Sequence, residues 1–170
     1  DYRTQNYPVF DTKFMEFINL PFAKSKEAIR RAVLAGAETI EHGDFIDLEI
    51  GKLMKEHNVT YMPTIAAVDV ISQYRGWKKG VTDPPSNIIN KRKSFKEAIA
   101  SGVSIGMGGD VGVFPHGDNA LEMELMVDYG MKPLEVLRSA TSLNADVFGI
   151  NDELGRIKPG LLADIIAVEG

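Results

Sequence analysis

Short apolar runs at 37–41, 59–63 and 103–107 alternate with stretches whose apolar residues recur every three to four positions. A parallel strand needs a crossover of about a dozen residues before the next one, usually a helix. This spacing therefore predicts an α/β chain, a parallel sheet covered by helices. The helix at 26–34 places Ala28, Ile29, Ala32 and Val33 on one face, with Ser25 as N-cap and Gly36 as its stop. A second helix at 47–57 turns Leu48, Leu53 and Met54 inward, and a third at 87–101 does the same with Ile88, Phe95 and Ile99. Helices at 120–129 and 133–140 flank Gly130, and one at 142–148 is stopped by Gly149. Residues 1–16 read as an irregular arm, 17–152 as the βα body beginning with a strand at 17–22, and 153–170 as a β segment. In that last segment two strands flank the turn Lys158-Pro159-Gly160. The stretch 64–86 is too long for an ordinary connection and reads as a loop or lid.

Composition narrows the chemistry. The 170 residues contain no cysteine, which removes disulfides, thiolate nucleophiles and cysteine-rich zinc sites. Any metal is left to histidine and carboxylate. A net charge of -5 with acids and bases interspersed gives no basic face for nucleic acid, so a small-molecule substrate is expected. No run is long enough to span a bilayer and no signal-peptide pattern is present, so a soluble protein is expected, cytoplasmic rather than secreted.

The densest chemistry lies in 105–124. The run 103–107 leads through Gly106, Gly108 and Gly109 to Asp110, at a strand's carboxyl end, where parallel α/β folds carry their sites. The glycines do not make a nucleotide loop, since valine stands where a dinucleotide fingerprint needs its third glycine and no Gly-Lys-Ser/Thr follows. Asp110 either closes a turn or serves catalysis. His42 also sits at a strand's carboxyl end. His116 follows Asp110 in a loop, where it either structures that loop or touches substrate. Asn119 and Glu122 have capping-box spacing at the next helix. Arg75 is either solvated or a contact for a substrate carboxylate, and His57 suits a helix end.

Three segments carry a family resemblance: Ala35-Gly36-Ala37-Glu38-Thr39-Ile40-Glu41-His42-Gly43, the stretch from Asp110 to Glu124 with His116-Gly117-Asp118-Asn119, and Gly155-Arg156-Ile157-Lys158-Pro159-Gly160 with Ala163-Asp164. From about residue 26 onward the chain resembles the carboxyl-terminal half of a metal-dependent amidohydrolase, in the branch of imidazolonepropionase-like enzymes and Xaa-Pro dipeptidases. The resemblance implies a partial TIM-type (β/α) barrel covering the later strands, followed by a short β hairpin belonging to a small β-sandwich. It implies hydrolysis of carbon-nitrogen bonds in an amide, lactam or dipeptide by a metal-activated water. His42 matches the metal-ligand histidine of the sixth strand, and Asp110 matches the eighth-strand aspartate, a ligand and general acid/base. The implied cofactor is a divalent metal, typically zinc, with His116 placed to touch substrate.

The departures from the family pattern are specific. No His-x-His pair or carboxylated lysine has a counterpart here, and Phe22, Ala23, Lys24 and Ser25 occupy the positions of a fifth-strand His-Ala-His-Gly. The resemblance thus leaves two expectations. Either the chain works with the missing barrel half or as a homo-oligomer, or it is an incomplete amidohydrolase acting as a structural or interaction module.

Overall fold

The computed structural model describes residues 25–167. The expected arm at 1–16, the strand at 17–22 and the positions of Phe22 and Lys24 lie outside them. Helix α1, Lys26–Leu34, begins where expected, with extended Ser25 accepting the Ala28 N–H through its hydroxyl at 3.2 Å. Strand β1, Thr39–Glu41, leads to helix α2, Leu48–Glu56, whose N-cap is Asp47, bonded to the Ile50 N–H at 2.9 Å. Because the helix starts at Leu48, the inward face falls on Ile50 and Met54, four residues apart, and Leu48 is exposed rather than inward.

Strand β2, Thr60–Met62, pairs with β1 in parallel, Ile40 opposite Tyr61. Residues 103–107 run beside β2 on its other edge. The Tyr61 N–H donates to the Ser104 carbonyl at 2.8 Å and the Gly106 N–H to the Tyr61 carbonyl at 2.9 Å. Three neighbouring parallel segments thus end side by side.

The third segment makes a single bridge to β2, and side chains take its other edge. The Asn144 carboxamide accepts from the Met107 N–H at 3.1 Å and donates to the Met107 carbonyl at 2.8 Å. The Ser139 hydroxyl donates to the Ile105 carbonyl. These groups replace a strand partner on that edge. Both come from one continuous helical stretch, α6 at Pro133–Arg138, a π-helical turn at Ser139–Leu143 and α7 at Asn144–Val147, where the sequence predicted two separate helices. Gly106 is required at this crossing, since a Cβ there would lie 2.5 Å from the Met62 sulfur and 2.8 Å from Asn144 Oδ1.

The stretch expected to be a long loop contains helix α3, Ile65–Tyr74, so the irregular part shrinks to 75–85. Its N-cap, Thr64, is left-handed and makes no side-chain cap. Helix α4, Ser86–Ser101, packs against α2 and α3, and α5, Ala120–Asp128, packs against α3. The core between them is Ile50, Met54, Tyr61, Ile65, Phe95, Leu125 and Met126, with the Phe95 ring 6.4 Å from that of Tyr61 and 6.2 Å from that of Tyr129.

The expected tail hairpin is not present among the described residues. Residues 151–161 form turns and 162–167 carry no strand, with Ile157 and Ile166 exposed. A strand pattern needs a partner strand to become a strand, and none faces this segment here. The fold is α/β, and no helix among the described residues is long and apolar enough to cross a membrane.

Candidate metal centre at the strand ends

Four non-glycine residues among those described have left-handed backbones, His42 (φ 66°), Asn58 (57°), Thr64 (47°) and Asp110 (59°). Asn58 follows α2, where asparagine adopts this conformation readily. The other three stand just beyond the three neighbouring strand ends. For a β-branched residue such as Thr64 this conformation costs about 1–3 kcal/mol, and such residues cluster where a site demands them. Hydrogen bonds hold them in place. The His42 N–H donates to the Met62 carbonyl at 3.0 Å, and the Thr64 N–H to the Gly108 carbonyl at 3.1 Å. The Thr64 hydroxyl lies 2.6 Å from His42 Nδ1. Gly43 lets the chain turn sharply after His42, since a Cβ there would lie 2.5 Å from the Tyr61 ring.

His42 and Asp110 are both exposed at this mouth. His116 is exposed in the loop that follows Asp110, two residues past Phe114, whose buried ring anchors that loop. Arg75 is exposed and follows the last residue of α3. That ten-residue helix carries it roughly 15 Å along the axis from Thr64. The strand ends therefore bring His42, Thr64 and Asp110 into one row, while Arg75 is carried away from them.

Two buried charged groups lie behind the row, and neither was expected from the sequence. Glu122, fully buried on α5, accepts from the Ile65 N–H at 2.9 Å and the Ala66 N–H at 2.6 Å. It caps α3, not its own helix. Asn119 has helical backbone and makes no cap, so the capping-box spacing pointed to the wrong helix. With the Thr64 hydroxyl committed to His42, the amino end of α3 takes its acceptor from Glu122. Burial raises the Glu122 carboxyl from 4.5 to about 7, against the opposing pull of the two N–H groups and of Lys91.

Lys91, fully buried on α4, donates to the His42 carbonyl at 2.5 Å and the Pro63 carbonyl at 2.9 Å, and pairs with Asp44. Burial lowers its pKa, with Asp44 pulling the other way. The signal was in the sequence, because Lys91 falls three residues after Ile88 and four before Phe95, on the apolar stripe of α4.

His42 and Asp110 are the nitrogen and oxygen donors that a borderline divalent metal such as zinc takes. A bond from Nδ1 to Thr64 leaves Nε2 as the free ring nitrogen, the arrangement usual for a ligating histidine. The residues present fit such an ion as two of its ligands. Among the described residues no group of three or more histidine, aspartate or glutamate side chains is gathered to hold one.

A parallel α/β sheet with histidine, threonine and aspartate ranked at its carboxyl ends defines a class of strand-end enzyme folds. The chain matches the Amidohydrolase family over residues 18–170 and belongs to it. Ochratoxinase of Aspergillus niger is 32% identical over 153 residues, covering 85% of this chain and 31% of that protein. A crystal structure of a Xaa-Pro dipeptidase with methionine bound in its active site superposes with a TM-score of 0.74 at 38% identity, over 85% of this chain and 37% of that one. The structure of A. niger ochratoxinase gives 0.72 at 30% identity, over 85% and 34%. The chain spans about a third of the length of these relatives. The family is one of hydrolases with a TIM-barrel fold, and it generally uses divalent metals.

Proposed function

We propose that this chain supplies the later strands of an amidohydrolase barrel and acts in hydrolysis of a carbon-nitrogen bond, with His42 and Asp110 holding zinc. The observation that carries this reading is the row of left-handed residues at three adjacent strand ends, with His42 Nδ1 tied to Thr64. When bound, the ion lowers the pKa of a coordinated water toward ~7 and polarises the scissile carbonyl. Thr64 fixes the orientation of the His42 ring. Asp110 accepts a proton from the attacking water and returns one to the leaving nitrogen, the work of a carboxylate in general acid/base catalysis. Exposed at the mouth, it is open to both partners. His116 contacts substrate from the loop beyond it.

The relatives include a Xaa-Pro dipeptidase and an ochratoxinase. A small amide or dipeptide is accordingly the substrate class to assay. A second reading, an incomplete member serving as a structural or interaction module, draws support from the absence of a three-residue metal cluster among the described residues. The experiment that separates the two is hydrolysis of Xaa-Pro dipeptides and N-acyl amino acids by the zinc-supplemented native protein, beside Asp110→Asn. Turnover abolished in the variant supports the enzyme reading. No turnover on either substrate class by the wild type, or turnover unchanged in Asp110→Asn, contradicts it.

A further inference from the structure

A lysine ammonium has three N–H donors and no acceptor. Around Lys91 Nζ stand three oxygens, those of the His42 and Pro63 carbonyls and the Asp44 carboxylate. His42 and Asp44 follow β1, and Pro63 follows β2. One buried side chain from α4 therefore joins the carboxyl ends of two neighbouring strands. The His42 carbonyl accepts a second bond, from the Tyr61 hydroxyl at 3.0 Å. Both bonds hold the residue in its left-handed backbone.

Burying an ammonium is expensive unless its partners repay the lost hydration. An apolar side chain on this stripe, flanked by Ile88 and Phe95, would extend the core at no such cost. From this geometry we infer that Lys91 is a positioning residue for the metal centre, fixing the His42 imidazole by gripping its carbonyl and that of Pro63. The inference rests on the reading of His42 as a metal ligand. It acts through two links. Lys91 sets the His42 backbone directly, and through Pro63 it sets the approach of Thr64, whose hydroxyl meets the ring.

The test uses zinc and the native protein. Zinc affinity is measured by calorimetry for the wild type, His42→Ala, Lys91→Met and Lys91→Gln, with urea denaturation confirming which variants fold. Lys91→Met removes all three donors, whereas Lys91→Gln retains amide donors for the carbonyls. Partners behind a ligand typically tune metal affinity by 10–100-fold. The expected result is about a tenfold weakening in Lys91→Met, a smaller one in Lys91→Gln, and a change in the His42 ring nitrogen resonances of metal-free Lys91→Met. A further readout needs no Lys91 variant: with 15N-labelled lysine in the wild type, zinc shifts the Lys91 Nζ resonance. Folded Lys91→Met binding zinc within twofold of the wild type, or a Lys91 resonance unmoved at zinc saturation, overturns the inference while leaving the ligand role of His42 standing. His42→Ala binding zinc like the wild type overturns that role, and the inference with it.

Discussion

Glu122→Gln isolates the least expected carboxylate of the fold. In the folded chain the Glu122 carboxyl titrates at about 7 against an ordinary 4.5, burial being the main cause. The native state thus holds this proton more tightly than the unfolded state does. The stabilisation it gives is fully present below pH 4.5 and is lost as pH rises through 7, an effect of roughly 3 kcal/mol. The amide cannot ionise. It also keeps only one acceptor for the Ile65 and Ala66 N–H groups and turns its own donor toward the other, which costs about 1–3 kcal/mol for a buried unpaired group. Urea unfolding of both proteins at intervals from pH 4.5 to 8 gives the difference curve, in which the titrations of other groups cancel. The wild type should lead most at the acid end, and its lead should shrink by roughly 3 kcal/mol toward pH 8. Two stability curves that stay parallel across this range would show that Glu122 does not titrate there, and the reasoning from its burial would be refuted.

Removing the hydroxyl beside His42 by Thr64→Val should weaken zinc binding by about tenfold, measured by competition with a chromophoric chelator, because the ring loses the partner that orients it. Gly43→Ala places a Cβ 2.5 Å from the Tyr61 ring at a φ of 55°, and thermal unfolding should show a loss of about 2–4 kcal/mol. His116→Ala should raise KM for a dipeptide with zinc affinity unchanged. Arg75→Ala, at an exposed position past the end of α3, should change stability by less than about 0.5 kcal/mol and leave zinc affinity untouched.

The sequence revealed the parallel α/β alternation because short apolar runs and helical stripes repeat at βα spacing, and it put His42 and Asp110 at strand ends because each follows such a run. It hid what depends on contacts between distant segments. Helix α3 went unread because its first N–H groups are capped by Glu122, more than fifty residues away in the chain. Asn119 and Glu122 then suggested a local cap that the helical backbone of Asn119 rules out. Residues 103–107 read as a full strand, yet Asn144 and Ser139 side chains take one edge of it. Lys91 was legible in principle, as a charge on an apolar stripe, but its three acceptors come from loops that only the fold brings together.

If His42 and Asp110 together hold metal, elemental analysis of the native protein after dialysis against zinc will detect it, beside His42→Ala and Asp110→Ala, each confirmed folded by circular dichroism. The expected result is zinc bound to the wild type and lost from both variants. A wild type free of metal, or zinc retained in full by both variants, would contradict it.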